Sequence, residues 1–242
     1  MIQLTQKSKG AIDNRSINSI NKITNNTLTA NDMVMGRINN NTIKENQNVV
    51  QEQQKKSIPQ LMNRIAKGQK IPITFSGSSI LDVCMGWNVK NPNCDIDVSA
   101  FLLDKTGKVI GDDWFVFYGQ PDSPDKSVIF SEHSLQDREE ISIDISRLNP
   151  SVGKIVFVLT INEALQKNLN FSMICDAYIR ILEHSSKREI VSFKIEDYYA
   201  NIVSMMIGEL YIHNGTWKFN AIGNGVAKDL EGLCKLYGVE TV

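Results

Sequence analysis

Three histidines and four cysteines in 242 residues leave little material for imidazole or thiolate chemistry. His133, His184 and His213 stand far apart. None lies beside a Gly-x-Ser-x-Gly turn or in a His-Glu-x-x-His helix, so serine-hydrolase and zinc-protease readings lack their parts. Cys84, Cys94, Cys175 and Cys234 form no CxxC pair and have no His at zinc spacing, so they read as reduced core thiols. No apolar run approaches the length of a membrane span, and the first residues lack the apolar stretch of a secretion signal. The expectation is a cytoplasmic protein with no transmembrane segment. One-sided charge is missing too: 26 Lys and Arg against 27 Asp and Glu give a net charge of -1, with no global pull toward nucleic acid. Gly223-Asn224-Gly225 lacks both a third Gly and a Lys-Ser/Thr, and reads as a tight turn after a strand rather than a phosphate cradle.

The even total hides an uneven distribution. Residues 1–70 carry 11 Lys and Arg against 4 Asp and Glu, leaving 15 against 23 for the remainder, and every Phe, Trp, Tyr and Cys falls after residue 70. Residues 1–56 are rich in Asn, Gln, Ser and Thr with only isolated aliphatics, too little apolar surface to offset the entropy of ordering a backbone. They read as a flexible basic arm. Joined to an acidic body, such an arm could cover carboxylates with Lys44, Lys55 or Lys56, or serve as a plain tether. Residues 57–69 read as a short helix and linker: Ser57 can cap, Pro59 is tolerated in the first turn, Leu61, Met62 and Ile65 share a face, and Gly68 can close it.

From residue 70 to 242 the pattern changes to period two. Strands are expected over 70–75, 81–85, 95–101, 114–118, 141–145, 155–161, 177–182, 190–195, 209–212 and 216–219. The segment 155–161 is apolar on both faces and reads as a central, doubly covered strand. Helical patches are expected only at 162–167, 199–206 and 228–237. Many short strands with few helices indicate an all-β sandwich of two sheets.

The most informative spacing is Asp95-Ile96-Asp97, which puts two carboxylates on one side of a strand. Like charges so placed repel unless water, a basic partner or a cation intervenes. Asp112, Asp113, Asp122, Asp125, Glu132, Asp137, Glu139 and Glu140 follow, mostly in expected loops, where strand ends could gather the six to eight oxygens that calcium takes. EF-hand spacing is absent, so a solvated acidic loop end is the competing reading. Trp87, Trp114 and Trp217 could stack on a sugar or pack in the core.

Taken in order, Gly86-Trp87-Asn88, the run from Asp95 to Leu103, Phe115-Val116-Phe117-Tyr118 and Ser123-Pro124-Asp125-Lys126-Ser127-Val128 resemble the TerD family of tellurium-resistance and general stress proteins. Further on, Asn170-Phe171-Ser172, Ala177-Tyr178-Ile179-Arg180, Gly208-Glu209-Leu210-Tyr211 and Trp217-Lys218-Phe219 extend the likeness, which runs from about Lys67 to Gly238. The resemblance implies a cytoplasmic, non-enzymatic, calcium-binding β-sandwich of the stress response. Its partners would be other stress-response or membrane-associated proteins, with no specific nucleic acid. The family's acidic pair maps onto Asp95 and Asp97. Its Gly-Trp-Asp reads Gly86-Trp87-Asn88 here, and its long acidic loop is shortened to residues 131–140 with Arg138 inserted. The expected metal set is therefore Asp95, Asp97, Asn88, Asp137 and Glu139, with modest affinity for Ca2+. The alternatives are a cation-free scaffold for protein contacts and a carbohydrate- or small-ligand-binding sandwich.

Overall fold

The computed structural model describes residues 56–132 and 137–241. The arm expected over 1–56 lies outside them except for Lys56. Eleven strands form two antiparallel sheets: β1 (Lys70–Pro72), β2 (Ile80–Val89), β3 (Ile96–Leu103), β4 (Phe115–Phe117), β5 (Val128–Ser131), β6 (Glu139–Asp144), β7 (Lys154–Ile161), β8 (Ile174–Glu183), β9 (Glu189–Lys194), β10 (Ser204–His213) and β11 (Thr216–Val226). One sheet has the order β1-β11-β10-β7-β3-β4 and the other β5-β6-β2-β8-β9. The helices are α1 (Ala164–Lys167) and α2 (Leu230–Tyr237).

Period-two patterning accounts for the core. Leu81, Val83 and Met85 of β2, Ile141 and Ile143 of β6, and Ile179 and Ile181 of β8 join one apolar cluster, while Asp82, Glu140, Ser142 and Arg180 take the opposite face of that sheet. The expected central strand is central: β7 lies between β10 and β3, and its residues from Ile155 on are buried. β3 is buried on both faces as well, because α2 covers Phe101, whose ring lies 4.6 Å from Tyr237 and 4.4 Å from Phe115. α2 starts where the Asp229 carboxylate accepts from the Gly232 N–H, and ends where Gly238 takes φ 84°.

Two expectations are corrected, and one unexpected strand is added. Residues 56–69 form no helix. They are a strap whose backbone groups serve open sheet edges: Ile65 N donates to Ser192 O at 2.9 Å, Ser192 N to Asn63 O at 3.0 Å, and Gly68 N to Ala221 O at 2.6 Å. So short an amphipathic stretch is marginal as a helix, and the open edge of β9 and the stretch of β11 beyond its short pairing with β1 give its N–H and C=O groups better use. The helical patch expected at 199–206 gives way to the start of β10, where Ser204 pairs with Thr160 of β7. Strand β5, a short apolar run without alternation, adds an edge strand that periodicity does not mark.

The outer face of the smaller sheet is polar and nonetheless buried. Asp82 is fully covered, and its oxygens take bonds from Ser142 Oγ at 3.0 Å, His184 Nδ1 at 2.7 Å and Lys187 Nζ at 2.5 Å. Burial works against its charge, but these donors outweigh it and hold the carboxyl below its usual pKa. Further along the same face the Tyr178 ring lies directly over Gly86, where a Cβ would overlap the ring and its hydroxyl. Gly86→Ala should therefore cost about 1–3 kcal/mol by overpacking. Urea denaturation measures it, and an unchanged midpoint would show that the ring moves aside.

Candidate functional site

The site forms where β3 and β6 begin. β4 ends opposite Ser99, so the N–H of Val98 lies one residue beyond the last β3–β4 pair. The Glu139 carboxylate, reaching across from the other sheet, accepts that N–H at 2.8 Å. This places Glu139 beside Asp97. Asp95, just before β3, is exposed; its main-chain carbonyl accepts from Asn162 N at 2.8 Å, and its carboxylate accepts from Asn162 Nδ2 at 3.3 Å. Glu132, at the other side of the shortened loop, adds a fourth carboxylate to the same field.

Among the described residues, Asp97 and Glu139 are the carboxyl groups pushed well above their ordinary pKa. Burial, then the charges of Asp95 and Glu132, push the Asp97 carboxyl up to about 7. Burial, then the charge of Asp97, push Glu139 up to about 8, against the lowering effect of the Val98 N–H. The neighbouring Tyr118 phenol is raised by burial and by the same carboxylates. No salt bridge reaches Asp95, Asp97, Glu132 or Glu139 among the described residues. Among those residues, too, no three His, Cys, Asp or Glu side chains close on one point as a finished metal cage would. The carboxylates feel one another without being gathered. An oxygen-seeking cation there would draw part of its shell from water or from a ligand.

Two members of the expected set are elsewhere. Asp137 is buried in a bidentate pair with Arg180, Nε to Oδ1 at 2.9 Å and Nη2 to Oδ2 at 2.7 Å, and Tyr178 Oη donates to Oδ1 at 2.8 Å. With both oxygens so engaged it leaves the ligand set. Asn88 is used by the strap, accepting from Lys56 N at 3.0 Å and donating to Lys56 O at 3.1 Å and to Asp176 at 3.3 Å. The expectation for Asn88 rested on a motif position, and the strap that occupies it has no counterpart in that motif. Asp95, Asp97 and Glu139 share one electrostatic field, which Glu132 also enters. Sequence spacing brings Asp95 and Asp97 together, whereas only the truncated ladder at Val98 brings Glu139.

Beside the carboxylates opens a cleft of about 1110 Å³, lined by Asp95 and Glu139 and by Lys56, Arg138 and Lys167. Trp87 forms part of its wall but is only 7% exposed and lies under the Arg138 guanidinium, 5.7 Å from ring centroid to Cζ. Trp114 is buried as well, so neither ring is a platform for stacking a sugar.

Residues 61–237 match the family model of the TerD domain. General stress protein 16U of Bacillus subtilis (strain 168) is 33% identical over 187 residues, covering 73% of this chain and 97% of that protein. Tellurium resistance protein TerD of Serratia marcescens is 32% identical over 185 residues, covering 72% of this chain and 96% of that protein. A solved structure described as a homologue of telluride resistance protein (TerD), from Streptomyces coelicolor A3(2), aligns with a TM-score of 0.49 at 18% identity, over 64% of this chain and 94% of that chain.

The two electrostatic features lead to separate measurements. Removing one partner of the buried pair, as in Arg180→Met, strands the Asp137 charge and should cost roughly 3–5 kcal/mol in denaturant, with Asp137→Leu/Arg180→Met recovering part of the loss. A carboxyl whose pKa is higher folded than unfolded is held more readily in its acid form, so its contribution is full below its unfolded pKa and is lost as pH rises through the folded value. The Tm of metal-free protein should therefore fall between the ordinary carboxyl range and about 8, the upper pKa of the pair. Asp97→Asn/Glu139→Gln should flatten that profile; an identical slope in the variant would place the titration elsewhere.

Proposed function

The chain belongs to the TerD domain family, and on that premise we propose that it is a non-enzymatic stress-response module of the tellurium-resistance type that binds calcium weakly at the start of β3. Asp95, Asp97 and Glu139 hold the ion, with Glu132 close enough to contribute charge. The observation that carries this reading is the Asp97 carboxylate, which has no hydrogen-bond donor or cation on it among the described residues while Asp95, Glu132 and Glu139 surround it. Carboxylates that repel one another and lack a basic partner are relieved by a divalent cation. All-oxygen donors favour a hard ion such as calcium over zinc or copper. The ion's role is to cancel this repulsion and tie Glu139 at the start of β6 to the start of β3, giving a surface that other stress-response or membrane-associated proteins recognise. No helix among the described residues is long and apolar enough to cross a membrane.

A second reading, a cation-free scaffold, is favoured by the commitment of Asp137 to Arg180 and by the open arrangement of the remaining carboxylates. Calorimetry separates the two. Calcium should give saturable heats with the full chain and none with Asp95→Asn/Asp97→Asn, and should raise the Tm of the wild type relative to chelator, because a ligand bound only by the folded state stabilises it. Equal heats from wild type and variant would displace the ion from these residues. No heat from either leaves the scaffold.

A further inference from the structure

A second, smaller cavity of about 190 Å³ lies where the start of β3 and the end of β7 meet α1 and the start of α2. Asp97 lines it, whereas Asp95 and Glu139 line the larger cleft instead. Thr160 stands opposite Asp97 in the ladder between β3 and β7, so the two side chains share one face of the sheet. Thr160 is only 3% exposed, lines the cavity, and its hydroxyl has no hydrogen-bond partner among the described residues. A buried hydroxyl left in that state costs free energy that a ligand can recover. The Asp97 carboxylate likewise accepts no hydrogen bond and no salt bridge among those residues. Asn162 donates its Nδ2 to Asp95 at 3.3 Å, and its side-chain carbonyl is left unbonded among them. The other acidic residues of the wall are engaged: Glu163 with Lys167 at 2.8 Å, Glu231 with Lys235, and Asp229 with the Gly232 N–H at 2.9 Å. Among the described residues no Lys, Arg or His lines the cavity, and Leu165 and Leu230 give it apolar walls.

We propose that this cavity binds the ammonium group of an aliphatic amine, with Asp97 matching its charge, Thr160 and Asn162 accepting its other N–H groups, and Leu165 and Leu230 covering its methylene stem. An ammonium has three donors and no acceptor, which one carboxylate and two neutral oxygens satisfy in full. A bare divalent ion is served less well here. The single unengaged carboxylate matches half of its charge, and apolar walls give it nothing. Such walls instead shelter a hydrocarbon stem, in the way that lysine stems lie along apolar surface elsewhere in proteins. A small, partly apolar cavity with a few placed polar atoms is the usual form of a small-ligand site. Two sources carry this chemistry, a free diamine and a lysine from residues 1–55 of the same chain. The inference does not rest on the calcium reading above. The two share Asp97, so amine and calcium compete where both bind.

The test is calorimetry of the full chain with cadaverine, in chelator and in calcium, beside tetramethylammonium as a cation with no N–H to donate. Cadaverine should give saturable heats, tetramethylammonium none, and calcium should weaken the amine. Thr160→Val is close in shape and removes a hydroxyl without an internal partner, so its Tm should match or exceed that of wild type. It should lower amine affinity roughly tenfold, the effect of losing one hydrogen bond to a charged group, while calcium heats stay at the wild-type value. Carbodiimide coupling and peptide mapping of the same chain distinguish the sources. Thr160-dependent heats assign the site to a free amine. Absent heats with an amide link from Asp97 to a lysine of residues 1–55, reduced in Thr160→Val, assign it to the chain's own lysine. Neither heats nor link overturns the inference, as does equal affinity for cadaverine in wild type and Thr160→Val, or equal binding of tetramethylammonium. Calcium heats without amine binding or link leave the calcium reading intact, and amine binding without calcium heats overturns that reading alone.

Discussion

The buried pair between Asp137 and Arg180 is the interaction around which the site is arranged. A charge removed from water is tolerated only with a partner and full hydrogen bonding, and Asp137 has both: two bonds from the guanidinium and one from Tyr178. Fixing Asp137 fixes the residues on either side of it. Its carbonyl becomes the acceptor for Lys56, Arg138 is carried onto Trp87, and Glu139 enters β6 opposite Met85 with its side chain reaching across to Val98. One pair on the outer face of the smaller sheet thus sets three groups of the cleft. Gly86 takes part because only the absence of a Cβ lets the Tyr178 ring lie where its hydroxyl meets Asp137.

The two carboxylate environments contrast in what neutralises them. Asp82 and Asp137 are more deeply buried than Asp97, yet each is surrounded by donors and basic groups that outweigh the cost of burial or match the charge directly. Among the described residues no salt bridge reaches Asp97 or Glu139; Asp95 and Glu132 lie in the same field, and Glu139 accepts one backbone N–H and feels the charge of Arg138 next to it. A fold that supplies counter-charges so fully elsewhere in the smaller sheet gives this group no salt bridge among the described residues. That asymmetry, rather than the number of acidic residues, singles out the start of β3.

Much of this was legible beforehand. Alternation of apolar and polar residues placed ten strands, the doubly apolar 155–161 segment identified the central one, and the spacing of Asp95 and Asp97 put two carboxylates on one side of β3. Propensity failed where an edge had to be satisfied: residues 57–69 carry a helical face and a plausible cap but are drawn out along β9 and β11, because unpaired sheet edges offer partners that an isolated helical turn cannot match. The site was legible only in part for a related reason. Asp137 and Glu139 are two residues apart in the same short loop and look equivalent as text. One turns to Arg180 on the outer face and the other to Val98 at the edge of the opposite sheet, and nothing in their local sequence separates the two fates.

What the chain determines by itself is what depends on neighbours in sequence: period-two strands, a two-sheet sandwich, the Asp95–Asp97 pair and the absence of the parts for thiolate or imidazole metal chemistry. What only the tertiary structure decides is which charges meet. Arg180 lies 43 positions from Asp137, Val98 lies 41 from Glu139, and Lys56 lies 81 from Asp137. Electrostatic energy depends on distance through space and on burial, neither of which is encoded by adjacency in the chain. The same side chain is therefore a neutralised structural anchor or a carboxylate among like charges according to whether the fold places a guanidinium against it.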